Sequence, residues 1–211
     1  MDNEIRKQDM NKNNALLIVD VQNDFCPDGK LAVPEGDAIV PVLNKYISIF
    51  VHNKWPVFAS RDWHPKKTAH FKEFGGQWPE HCIQDTSGAK FHPVLRLPED
   101  VIILSGGMDP DEDGYSAFQA VDSRGSEFAH LLNSFSINEL FVGGLATDYC
   151  VKWSVLDALK FGFKVTLLTD AIKGVDLKPR DSEAAIEEMV NLGAKKMTFE
   201  KLSRMLAEER K

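Results

Sequence analysis

The chain has 211 residues, 43% of them hydrophobic and 27% charged, and a formal net charge of −7. That size and balance describe one globular domain with a full core, and exclude both a basic nucleic-acid footprint and an apolar run long enough to span a membrane. Three cysteines, Cys26, Cys82 and Cys150, are too few and too odd for a disulfide framework and suit a reducing, cytoplasmic compartment.

Residues 1–13 are polar, lack the apolar stretch of a signal peptide and read as a short flexible arm, leaving 14–211 as the domain. Ala15–Val21 is a nearly continuous apolar run, as expected of a strand covered on both faces. Ile39, Leu43, Ile47 and Phe50 then recur at helical spacing after Gly36-Asp37. Pro56–Ser60 and Val101–Ser105 read as the second and third strands, and Ser126 stands where a cap would open a short helix carrying Phe128, Leu131 and Leu132. Leu140–Gly144 is a fourth strand. A helix from Asp148 shows Val151, Val155 and Leu159 on one face and is stopped by Gly162. Lys164–Thr169, the amphipathic helix Arg180–Leu192 ended by Gly193, a short strand at Lys196–Phe199 and a tail helix from Glu200 complete the chain. This alternation predicts an α/β fold: a parallel sheet of about six strands with helices on both faces, in three layers. Functional residues of such a sheet collect at the carboxyl ends of strands. Residues 61–100 and 106–125 break the rhythm on that side, and long irregular segments in a compact domain are usually functional or mobile.

Three groups of residues carry chemistry. Asp20 ends the first apolar run, in Val-Asp-Val-Gln-Asn-Asp-Phe (19–25). A carboxylate buried there needs a partner or a raised pKa. It is either a functional acid or base or a turn cap, and Asp24 fits the cap better. Asp62 and His64, in Arg-Asp-Trp-His-Pro (61–65), can turn an oxygen and an imidazole toward one ion, and His70 and His81 from the following loop can close the shell. Mixed nitrogen and oxygen donors suit zinc, iron or manganese, and the plain alternative is a set of scattered surface histidines. Cys150 follows an apolar strand and a small-residue turn as a helix begins, where N–H groups and the helix dipole favour a thiolate. The alternative for Cys150 is small core filler. The N–H groups of Ala146 and Cys150 can form an oxyanion hole. A thiolate, a carboxylate and an oxyanion hole describe acyl transfer from an amide or ester, with no histidine placed as the base.

Read in order, Val-Asp-Val-Gln-Asn-Asp-Phe (19–25), Ser-Arg-Asp-Trp-His-Pro (60–65), Gly-Gly-Gln-Trp-Pro-Glu-His-Cys (75–82), Asp-Gly-Tyr-Ser-Ala-Phe (113–118) and Gly-Leu-Ala-Thr-Asp-Tyr-Cys-Val (144–151) resemble the isochorismatase-like cysteine hydrolases, in their nicotinamidase/pyrazinamidase branch. The resemblance implies hydrolysis of nicotinamide or a related pyridine carboxamide to the acid and ammonia, a step of NAD salvage. Cys150 would be the nucleophile and Asp20 the proton carrier. Asp62, His64 and His81, with His70 as a ligand that some relatives supply, would hold one divalent metal ion, zinc before iron or manganese. Phe25, Trp78 and Tyr115 would wall a slot for a flat ring. The Leu145–Ala146 peptide would be cis and would aim the Ala146 N–H at the oxyanion. A small-molecule substrate is the implied partner, with neither nucleic acid nor membrane, and a homo-oligomer is compatible with the pattern.

One family residue is missing. Gly106, in Val-Ile-Ile-Leu-Ser-Gly-Gly-Met-Asp-Pro (101–110), occupies the position of a lysine that completes a Cys-Asp-Lys triad in the resemblance. Without that cation Asp20 should hold a proton more readily and Cys150 should be thiolate less often. Three readings of Gly106 stand: an inactive variant, a working enzyme that takes a cation from Lys66, Lys67 or Lys90, or a catalytically silent nicotinamide- and metal-binding protein. Two other enzyme readings are weaker. Trp78 and His81 disfavour an amidase for carbamoyl compounds, and Cys150 with the histidine set disfavours cleavage of a vinyl ether.

Overall fold

The structure is a computed structural model and describes residues 13–209. Most of the arm expected over residues 1–13 therefore lies outside the described residues. Asn13 belongs to the body, its carbonyl accepting the N–H groups of Asn138 and Glu139 at 2.8 and 3.1 Å.

Six parallel strands form one sheet in the order β3-β2-β1-β4-β5-β6. They are β1 (Asn14–Val19), β2 (Val57–Asp62), β3 (Ile102–Gly106), β4 (Glu139–Leu145), β5 (Lys164–Lys173) and β6 (Lys195–Met197). The helices are α1 (Val40–His52), α2 (Phe128–Ser134), α3 (Lys152–Lys160), α4 (Asp181–Asn191) and α5 (Phe199–Glu209). Side-chain alternation along β1 divides the core: Ala15, Leu17 and Val19 join one cluster with residues of α2, α3 and α4, whereas Leu16 and Ile18 join another with residues of α1 and α5. The three-layer α/β architecture expected from the alternating pattern is thus present. Helix α1 alone buries Val40, Leu43, Tyr46, Ile47 and Phe50, each contributing roughly 1.5–3 kcal/mol relative to exposure. None of the helices among the described residues is long and apolar enough to cross a membrane.

Several expectations shift in detail. β1 stops at Val19 because Asp20 turns into the left-handed region at φ 48°, rather than continuing to Val21. β5 runs on to Lys173, past a register shift opposite Val142 and Gly144. Ser126 is not the cap of α2. Glu127 precedes the helix without a side-chain cap bond, and Ser126 instead donates its N–H to Asp122 at 2.8 Å in the preceding turn. The helix expected from Asp148 opens as a wide turn with π-type bonding, Thr147–Val151, and becomes α-helical only at Lys152.

Strand order reverses between β1 and β4, which makes their carboxyl ends the crevice where ligands of open α/β sheets bind. Gly144 lets these two ends meet. Its φ is 130°, and a Cβ there would run into the backbone N and O of Val19. Gly162, also at positive φ (87°), has nothing within 4 Å of a would-be Cβ. Gly144→Ala should therefore lower unfolding free energy by roughly 2–4 kcal/mol, and Gly162→Ala by only about 1 kcal/mol, as measured by urea denaturation. Equal losses would mean that backbone conformation, not the close approach to β1, governs Gly144.

Candidate active site

The loops after β1, β2 and β4 bring the chemistry-bearing residues together. Asp20 follows β1, is 4% exposed and accepts the Ser60 hydroxyl at 2.7 Å. Asp62 is the last residue of β2, and Cys150 lies in the turn after β4. One ligand atom from each of Asp20, Asp62 and Cys150 lies within 4.8 Å of the others, and His64, His70 and His81 form a second such group. Asp62 connects the two, with Oδ2 at 3.4 Å from His64 Nε2 and 3.5 Å from His81 Nε2.

All three histidines are buried and have Nδ1 engaged by an oxygen. The partners are the Gly107 carbonyl for His64 (3.0 Å), Asp113 for His70 (2.8 Å) and the Pro79 carbonyl for His81 (2.8 Å). A ring that donates from Nδ1 presents its Nε2 lone pair, the state of a metal-ligating imidazole. His64 Nε2 is buried with no hydrogen-bond partner, and such an atom ordinarily needs one. Three oriented imidazoles and a carboxylate fit a divalent cation; the donor set suits zinc, iron or manganese alike.

The carboxylates sit in unequal fields. Burial, reinforced by the charge of Asp62, outweighs the hydrogen bonds from Ser60 and Cys150 and raises Asp20 to about 8. Burial also pushes Asp62 upward, but with no ion bound the charge and N–H of His64, together with His81, outweigh it and hold that carboxyl below the usual range. Burial and the neighbouring Asp20 and Asp62 push the Cys150 thiol well above its ordinary value. The thiolate expected from a helix start is therefore not favoured: the first turn is wide, and desolvation beside two carboxylates outweighs the helix end.

Gly106 closes β3 opposite Asp62. Its backbone is outside the left-handed region, and a Cβ would meet the Ala120 Cβ and the Gly114 carbonyl at an ordinary 3.5 Å. Among the described residues no lysine or arginine is ion-paired with Asp20, and Lys66, Lys67 and Lys90 are all exposed.

A narrow cleft, with about 30 Å³ of free space, lies over Cys150. Phe25, Trp78 and Tyr115 line it, together with Asp62, His70, His81 and Ala146. The Leu145–Ala146 peptide is cis. Trp78 donates its indole N–H to the Tyr115 hydroxyl at 2.8 Å. Leu31, Tyr149 and Val175 also line the cleft and went unassigned from sequence, although Tyr149 directly precedes the cysteine and meets Trp78 edge-on at 4.8 Å. Val175 is brought in by Asp148, whose carboxylate accepts the N–H groups of Val175 and Asp176 at 2.9 and 2.8 Å. Asp24, read from sequence as a turn cap, accepts the nearby Lys30 N–H at 3.3 Å and also the distant Cys82 N–H at 2.7 Å.

A family model described as the isochorismatase domain matches residues 14–201. The nicotinamidase of Escherichia coli (strain K12) is 42% identical over 196 residues, 85% of this chain and 92% of that protein. The crystal structure of a pyrazinamidase of Pyrococcus horikoshii in complex with zinc superposes with a TM-score of 0.82 at 46% identity, covering 89% of this chain and 99% of that one. A protein of L. infantum in complex with nicotinate gives a TM-score of 0.79 at 33% identity, over 89% and 93% of the respective chains.

The raised thiol has a direct consequence. In the metal-free protein, Cys150 alkylation by iodoacetamide should be slow at pH 7 and keep rising with pH through 9, because the thiolate fraction still grows about tenfold per pH unit below the pKa. Peptide-resolved mass spectrometry separates Cys150 from Cys26 and Cys82. A rate that levels off below pH 8 would show that the thiol is activated after all.

Proposed function

The chain belongs to the isochorismatase family, with relatives named nicotinamidases and pyrazinamidases, and on that premise we propose that it hydrolyses nicotinamide or a closely related pyridine carboxamide to the acid and ammonia, a step of NAD salvage. One juxtaposition carries the reading. Cys150 and Asp20 lie together in an aromatic cleft whose wall includes members of a three-histidine cluster. Three unpaired cysteines fit a cytoplasmic setting for it.

In this proposal Asp20 takes the Cys150 thiol proton as sulfur bonds to the carboxamide carbon, with the N–H groups of Ala146 and Cys150 facing the developing oxyanion. Asp20 then gives the proton to the leaving nitrogen, the C–N bond breaks and ammonia departs, leaving a thioester on Cys150. Asp20 next removes a proton from water as its oxygen attacks the thioester carbon. The C–S bond breaks, the acid leaves and the thiol is restored. Phe25, Trp78 and Tyr115 hold the flat ring, and Trp78 and Tyr115 are themselves fixed by their mutual hydrogen bond. Asp62, His64 and His81, joined by His70, hold one divalent cation, with zinc the first to test because the Pyrococcus relative is in complex with it. When bound, that ion supplies a Lewis acid for a pyridine nitrogen and a positive charge that favours ionised Asp20.

Asp20 is the limiting group. With its carboxyl raised to about 8, only about a tenth would be ionised at pH 7 without an added positive charge. We assign this to Gly106, at the position of the family's lysine, and expect hydrolysis to be impaired rather than absent. The backbone at Gly106 accepts a side chain, so the lesion is open to repair. Metal-loaded Gly106→Lys should release ammonia from nicotinamide roughly 10²-fold faster than the parent, a typical return for a well-placed proton-transfer partner. If both chains stay silent while binding zinc and nicotinamide, the chain is a binding protein on a hydrolase scaffold. If the parent turns over carbamoyl compounds instead, the substrate class is wrong but the thioester chemistry survives.

A further inference from the structure

β1 and β2 run side by side through Ile18 and Ala59. β1 then ends, because Asp20 leaves at φ 48°, while β2 continues to Asp62 with β3 still paired on its far side. Past this point β2 has lost its backbone neighbour on the β1 side, yet Asp62 is buried there. An unpaired buried peptide would be destabilising.

The side chain of Gln22 takes the place of the missing strand. Its Oε1 accepts the Asp62 N–H at 2.8 Å, and its Nε2 donates to the Asp62 carbonyl at 2.8 Å and to the Ala89 carbonyl at 2.9 Å. Gln22 is fully buried. The reverse amide orientation would set an oxygen against two carbonyls, so its partners fix the assignment. The Gln22 backbone is itself held by a bridge to Phe91.

We infer that Gln22 is a positioning residue for Asp62, rather than core filler that happens to be polar. The inference rests on the metal site proposed above. An aspartate has only two side-chain torsions, so the place of its carboxylate is set largely by its backbone. Gln22 clamps both hydrogen-bonding groups of that residue, while the carboxylate lies between His64 and His81 at 3.4 and 3.5 Å. Residues that orient a ligand without touching the ion commonly change metal affinity 10–100-fold when altered.

Zinc affinity, measured by chelator competition, tests this in the parent, Gln22→Glu, Gln22→Met and Tyr46→Phe. Glutamate keeps the shape of glutamine but turns an oxygen toward two carbonyls, and methionine keeps the length without the bonds. Tyr46→Phe removes a hydrogen bond to Asp170 and serves as a general lesion of stability. Both Gln22 variants should bind zinc 10–100-fold more weakly, whereas Tyr46→Phe should lower the melting temperature and leave zinc affinity within twofold. A second measurement needs no variant: zinc should slow hydrogen exchange of the Asp62 amide in the parent more than that of the Leu17 amide within β1. Folded Gln22 variants with parental zinc affinity would overturn the inference, as would an Asp62 amide indifferent to zinc. If the Gln22 variants do not fold, the exchange measurement alone decides. A parent that binds no zinc would remove the metal reading itself, a different failure from a parent that binds zinc without needing Gln22.

Discussion

Two carboxylates and a thiol are buried within 4.8 Å of one another, and among the described residues no lysine or arginine is ion-paired with either carboxylate. Like charges so close in a dry site cannot both ionise cheaply, so the group must shed charge or recruit it. The structure resolves this unequally. Asp62, between two imidazoles, is favoured as the anion, while Asp20, left with a serine hydroxyl and the thiol, keeps its proton to about pH 8. The high thiol pKa of Cys150 follows from the same crowding.

The fold meets that demand at the strand-order reversal. Gly144 allows β4 to run against Val19, so the residues following both strands share one crevice. Beyond the sheet, side chains replace backbone pairing. Gln22 holds Asp62, Asp24 holds the Cys82 N–H next to His81, and Asp148 gathers Val175 into the cleft wall. The loop after β3 orients two of the histidines, His64 through the Gly107 carbonyl and His70 through Asp113. Part of the apparently irregular sequence is thus a scaffold of hydrogen bonds around a few buried side chains, although many of its other residues are exposed.

Sequence made the sheet legible because apolar strands and amphipathic helices follow different periods, and β1 could be placed to within two residues. The gathering of Asp20, Asp62, Cys150 and the histidines at strand ends followed from topology. What sequence could not expose was the arrangement of polar side chains satisfying backbone groups at long range. Gln22 and Asp62 are 40 residues apart, and no local pattern marks a glutamine that substitutes for a strand. Leu31 and Val175 look like ordinary core residues until the loops close over the cleft. The thiolate expected at Cys150 is opposed by an effect that sequence does not show. A strand running into a helix predicts a favourable dipole, but sequence gives no measure of desolvation, and desolvation dominates at Cys150. Ser126 shows the same limit on a smaller scale, since a nearby Asp122 took the N–H that a cap would have organised differently.

A glycine at 106, where the resemblance implies a lysine, also changes what the histidine cluster must do in the proposed reaction. A site with a fixed cation beside its aspartate can hold that carboxylate ionised whether or not a metal is present. Here the remaining source of positive charge is the ion that Asp62 and the histidines are fitted to hold, and Asp62 lies within 4.8 Å of both Asp20 and Cys150 in the acidic group. Substrate anchoring and proton transfer would then depend on one ion instead of on two separate devices. Asp20 would be a competent base only in the loaded protein, and the precision with which Asp62 is held would matter to both functions at once. In the proposed reaction, a glycine at 106 would thus shift the electrostatic burden of the site onto the end of β2.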